Sequence, residues 1–152
     1  MADGILIPID FSDVTEVVLA QAGQLAKALG AKTWLIHVAE AKLSYFADSD
    51  VGPVMIRESV AQQFREEHLK LQQYEQSFRA EGLEVTSMLV KGTPAEKIVD
   101  EARRLKPDLI VLGSHGHGAL HHLLMGSVSE GVLKKAKCPV VIVPSRDSSG
   151  GH

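Results

Sequence analysis

At 152 residues, 45% of them hydrophobic and 23% charged, the chain has the length and balance of one compact domain that buries its core without disulfides or structural metal. Its net charge of -3 gives no overall positive field to draw in a long polyanion, so no nucleic-acid partner is expected; a small anion stays open, because a few backbone N–H groups bind phosphate whatever the global charge. The single cysteine, Cys138, cannot pair within the chain, no window approaches the roughly 20 apolar residues of a bilayer span, and Met1-Ala2-Asp3-Gly4 lacks the basic and apolar marks of a signal peptide, so the expectation is a cytoplasmic protein with no membrane partner.

Ile5-Leu6-Ile7-Pro8-Ile9 is a short β-branched run that ends at Asp10 and predicts the first strand, with Pro8 at its carboxyl end because proline cannot donate to a central ladder. Asp13 with Glu16 three residues on predicts a capped helix in which Val18, Ala22, Leu25 and Leu29 recur at helical spacing until Gly30. Thr33 to Val38 predicts a second strand, and residues 39–53, without periodicity and rich in Ser, Asp, Gly and Pro, a long loop. Val60, Phe64, Leu71 and Phe78 share one narrow face of a helix predicted over 54–80 and ended near Gly82. Leu83 to Val90 alternates as a sheet-edge strand does.

Thr93-Pro94-Ala95-Glu96 carries a cap residue, a proline at the first helical position and a glutamate behind it, which predicts a helix that Pro107 ends. Leu109-Ile110-Val111-Leu112 is apolar on both faces and predicts a buried central parallel strand. A helix over 128–136 then leads to Val140-Val141-Ile142-Val143, a strand bracketed by Pro139 and Pro144, and the polar residues 145–152 are expected to form a disordered tail. Alternating strands and helices of these lengths predict a single α/β domain over 4–144 with a doubly wound, mostly parallel sheet.

Ligands of such sheets gather where strand carboxyl ends meet helix amino ends at a reversal of strand order, which directs attention to Asp10, Val38 and Gly113. After the buried strand comes Gly113-Ser114-His115-Gly116, then nine residues, then Gly126-Ser127-Val128-Ser129-Glu130. Glycines permit positive φ and close backbone approach, and Ser127 with Glu130 has the spacing of a capping box, so a helix amino terminus beside Gly126 is expected to present N–H groups to phosphate. The chain has no Gly-Lys-Ser/Thr triplet of a P-loop, and Asp10-Phe11-Ser12-Asp13 lacks the glycines of a dinucleotide fingerprint.

Gly-x2-Gly-x9-Gly-Ser resembles the nucleotide motif of the ATP-binding class of universal stress proteins, and the similarity extends from Ile5 through Gly126-Ser127-Val128-Ser129-Glu130 to Pro144. It implies a five-stranded parallel sheet flanked by helices. It also implies that Pro8, Ile9 and Asp10 lie beside adenine and ribose, that Val38 meets adenine, and that Leu112, Gly113, Gly116, Gly126, Ser127, Val128 and Ser129 line the ribose and phosphates. The ligand so implied is ATP or another adenine nucleotide, with Mg2+ accompanying the phosphates. His117 stands where many members have arginine or lysine, which leaves AMP or a cyclic nucleotide open as well.

His115, His117, His121 and His122 fall within eight residues, but that segment has no cysteine or carboxylate at metal-ligand spacing, so no metal site is expected. His37 and His68 are expected to be structural or solvent-facing. No water-positioning group for hydrolysis is identifiable, and Asp10 and Asp13 are accounted for by a ribose contact or a helix cap. The expected function is that of a nucleotide-binding stress-response regulator, acting through a regulatory protein partner or a homodimer formed along Val140–Val143, whose apolar edge would otherwise be exposed. A slow nucleotide hydrolase and a dimeric interaction module with a vestigial site are the alternatives.

Overall fold

The computed structural model describes residues 4–40, 52–115 and 125–144. Along the chain they form β1 (Gly4–Pro8), α1 (Thr15–Leu29), β2 (Lys32–Ala39), α2 (Pro53–Ala80), β3 (Val85–Lys91), α3 (Pro94–Leu105), β4 (Leu109–Gly113), α4 (Ser127–Lys135) and β5 (Val140–Val143). The five strands make one parallel sheet in the order β3-β2-β1-β4-β5. This is the α/β architecture expected from the sequence, with β4 inside the sheet and β3 at an edge.

The unbroken apolar runs of the inner strands follow from burial on both faces. Ile5, Ile7, Leu35 and Val111 pack with Val18, Ala22, Leu71 and Phe78 of α1 and α2 on one side. Their alternate neighbours Leu6, Ile36, Ile110 and Leu112 pack with Ile98 of α3 and Val132 of α4 on the other. Gly30 closes α1 in the left-handed conformation, φ 62°, as a residue without Cβ does most readily. In α2 the narrow apolar face is only partly used: Leu71 and Phe78 are buried, whereas Val60 and Phe64 are half-buried.

Helix starts differ in detail from expectation. Asp13 and Glu16 do not box the start of α1, whose N-cap is Val14 with no side-chain cap bond. The Asp10 carboxylate instead accepts the Ser12 N–H at 3.0 Å, forming a tight turn of its own, while Tyr74 Oη donates to the Glu16 carboxylate at 3.4 Å. Thr93 is the N-cap of α3, with Pro94 at the first position as expected, but the threonine side chain makes no cap bond. Residues 41–51, within the predicted loop, and the predicted tail 145–152 lie outside the described residues.

Candidate functional site

The chain reverses direction across the sheet between β1 and β4: β2 and β3 lie on one side of β1, β4 and β5 on the other. The β1–β4 register pairs Ile5 with Leu109 and Leu6 with Ile110 and stops there. Pro8 explains where it stops. Ile9 N–H donates to the Ile36 carbonyl on the β2 side, so by strand alternation the N–H that Pro8 lacks would have pointed to β4. The carboxyl ends of β1 and β4 therefore separate, and a cleft of about 610 Å³ opens between them.

Pro8, Ile9 and Asp10 line this cleft from β1, Val38 from β2, Leu112 and Gly113 from β4, and Gly126, Ser127, Val128 and Ser129 from the start of α4. The ten residues just named are those that the resemblance assigned to the nucleotide, apart from Gly116, which lies outside the described residues with His117, His121 and His122; Asp13 does not line the cavity. Val38 is buried and its side chain packs with Leu6 and Ile98. Its backbone is the useful part. Like Ile36 two residues before it, Val38 directs its N–H and C=O towards β1, but the last β1–β2 pairing is Pro8 with Ile36.

Gly113 is a glycine because β4 runs close under α1: a Cβ there would lie 2.9 Å from Val14 Cγ1 and 3.3 Å from Val18 Cγ2. Gly126 differs from expectation. It has φ -79° and ψ 171°, extended backbone that any residue adopts, so left-handed geometry is not the reason for glycine at this position. Gly126 rather than Ser127 is the N-cap of α4, and no side chain caps the helix. The Ser127–Glu130 capping box does not form because Ser127 is already inside the helix and Glu130 turns outward to Lys134, 3.2 Å away. Ser129 is 2% exposed; its hydroxyl donates to the Ser114 carbonyl at 2.9 Å and approaches the Gly126 carbonyl at 3.1 Å.

The opposite wall contains residues that sequence reasoning did not assign to the site. Phe11 stands in the left-handed region at φ 61°, with its ring 4.2 Å from that of His37, 6.1 Å from that of Tyr74, and beneath Lys70 Nζ at 5.6 Å. Such a backbone costs a non-glycine residue about 1–3 kcal/mol, and the ring contacts and the Asp10–Ser12 turn hold it there. Burial, then the charge and hydrogen bond of Glu16, push the Tyr74 hydroxyl above its usual pKa. Asp-x-Ser was the available sign of the turn; nothing local indicated its conformation.

His37 is buried in the cleft wall and its Nδ1 lies 2.9 Å from the Ile9 carbonyl. A carbonyl only accepts, so Nδ1 carries a proton. Nε2 lies 3.3 Å from a Glu67 carboxylate oxygen on α2, close enough for a charge pair but not aligned as a hydrogen bond, and neither atom has another hydrogen-bond partner. Glu40, Glu67 and Lys70 make this wall predominantly acidic. Among the described residues no group of three or more His, Cys, Asp and Glu is arranged to hold a metal ion, and no helix is long and apolar enough to cross a membrane.

The model of a family described as the universal stress protein family matches residues 1–144. Universal stress protein MJ0531 of Methanocaldococcus jannaschii is 32% identical over 139 residues, covering 91% of this chain and 80% of that protein. The solved structure of MJ0577 from the same organism superposes with a TM-score of 0.83 at 29% identity, covering 97% of this chain and 99% of the other. Two solved universal stress proteins at 24% identity share the fold: one in complex with cAMP (TM-score 0.65, covering 94% and 97% of the two chains) and one from Archaeoglobus fulgidus in complex with dAMP (0.61, 92% and 96%).

Proposed function

The chain belongs to the universal stress protein family, and on that premise we propose that it binds ATP or another adenine nucleotide in the β1–β4 cleft and acts as a stress-response regulator whose interactions depend on the bound nucleotide. The observation that carries this reading is the meeting, in one cavity, of an uncapped helix amino terminus at Gly126 with the free edge of β2 at Val38. The former suits phosphate, because orphan N–H groups and the helix dipole favour an anion. The latter suits a base, since Val38 offers one donor and one acceptor beside the apolar walls of Ile9 and Leu112.

Electrostatics orient the ligand within this reading. Glu40 and Glu67 repel phosphate from the α2 wall, so the phosphates lie at Gly126, Ser127 and Val128 and the base at Ile9 and Val38. Asp10 and Gly113, at the ends of the two separated strands, take the ribose between them. By the same motif Gly116 is assigned to the phosphates. Mg2+ arriving with the phosphates would be held mainly by them and by water and would neutralise part of their charge, as this ion commonly does. Nucleotides bound to the cAMP and dAMP relatives support an adenine ligand without selecting its phosphate number.

A cytoplasmic homodimer completes the proposal. β5 is an edge strand whose Val140, Val141 and Ile142 are half-buried, and pairing it with a second copy would cover that edge. The reading is tested by mass spectrometry of ligand released from freshly purified protein, together with phosphate release under added ATP. An adenine nucleotide retained stoichiometrically, without steady turnover, is expected. Steady phosphate release that disappears in Gly126→Val would replace the regulator with a hydrolase.

A further inference from the structure

Both ends of the segment between β4 and α4 are tied at a single atom. The Ser114 carbonyl, one residue beyond β4, accepts the Gly126 N–H at 2.6 Å and the Ser129 hydroxyl at 2.9 Å. Ser114 is anchored in turn, its N–H donating to the Val143 carbonyl at the end of β5 at 2.8 Å. Ser114 and Gly126, which flank residues 115–125, are thus joined directly, and this junction, the neck, adjoins Gly113 and the start of α4, which both line the cleft. Ser129 completes the closure from inside the first turn of α4. It is 2% exposed, and its only proton is directed at backbone carbonyls.

We propose that Ser129 is a positioning residue: its hydroxyl locks the amino end of α4 to the end of β4 and sets the neck of the phosphate loop, and it does not donate to phosphate. The stereochemistry leaves little alternative use for the group. A serine hydroxyl has one proton, and once this is given to Ser114 the oxygen presents only lone pairs, which repel a phosphate oxygen. Ser127 differs: it is exposed at the first position of the same helix. The two serines of Gly-Ser-Val-Ser thus divide the work, one holding the loop and the other facing the anion. This division rests on the nucleotide reading above; the closure itself does not.

The test compares Ser129→Ala, Ser129→Thr and Ser127→Ala by amide hydrogen exchange of the ligand-free protein and by titration with AMP and ATP. Exchange at Gly126 should quicken about fivefold in Ser129→Ala, while Ile7 and Leu35 in the central strands keep their rates and report that the fold is intact. Ser129→Thr, which retains the hydroxyl, should exchange as the wild type does. AMP and ATP affinities should fall about tenfold in Ser129→Ala and recover in Ser129→Thr, and Ser127→Ala should lose affinity with Gly126 exchange unchanged. Wild-type exchange at Gly126 in Ser129→Ala would overturn the proposal, and combined with lost affinity it would make Ser129 a direct phosphate contact. If the wild type ignores both nucleotides yet Ser129→Ala still loosens Gly126, the closure stands and the nucleotide reading fails.

Discussion

Gly113 has no room for a side chain beneath Val14 and Val18, whereas Gly126 has a backbone open to any residue, so substitutions at the two should separate folding from binding. Gly113→Ala is expected to lower stability by about 1–3 kcal/mol through overpacking, read as a reduced denaturant midpoint at unchanged slope. Gly126→Val should cost about 1–2 kcal/mol, as loss of a favourable cap residue does, yet abolish nucleotide binding because its branched side chain occupies the space next to the helix amino end. Cys138 is half-buried, and burial followed by the charge of Asp108 raises its thiol pKa. Its thiolate is the reactive form and is therefore suppressed at neutral pH: alkylation at pH 7 should be slower than that of free cysteine and should accelerate as pH rises. An alkylation rate at pH 7 equal to that of free cysteine would contradict this. At this scale the sequence marked Asp10, Val38 and the glycines by their places at strand and helix ends. It could not mark His37, Phe11 or Glu67 as neighbours, because the contacts joining them link the turn after β1 to β2 and α2 and have no local pattern.

Strand and helix identities were legible because their apolar periods are imposed by burial on one or both faces, as Ile5/Ile7 against Leu6 and Val111 against Ile110/Leu112 show. Capping was less legible. An i, i+3 pair states only that two side chains are near the start of a helix, and tertiary partners decide whether they turn back to it: Glu16 goes to Tyr74 on α2 and Glu130 to Lys134. Asp13→Ala, which removes no observed cap, should therefore change stability by less than about 0.5 kcal/mol. A loss near the ~1 kcal/mol typical of a true cap would contradict the observed start of α1. In α2 the anchorage rests on Leu71 and Phe78. Leu71→Ala is expected to cost about 2–5 kcal/mol, measured by thermal or urea unfolding.

For the molecule as a whole, the order β3-β2-β1-β4-β5 fixes where a ligand can enter, since only between β1 and β4 do successive connections lead away in opposite directions. Alternation of strands and helices predicted the doubly wound class; the exact crevice also needed Pro8, whose missing N–H ends the β1–β4 ladder. The proposed homodimer rests on the exposed edge of β5. Light scattering at micromolar concentration should give twice the chain mass, and Val141→Lys, at the centre of the β5 edge, should shift it towards one; a wild-type monomer throughout would contradict pairing. Nucleotide binding in the cleft is tested by isothermal titration of the wild type and Gly126→Val with ATP, ADP and AMP, any nucleotide that co-purifies having first been removed. One adenine nucleotide bound per chain with about micromolar affinity, and no binding by the variant, is expected. Absence of heat with all three nucleotides, together with failure to displace a fluorescent adenine probe, or equal affinity in the variant, would contradict it.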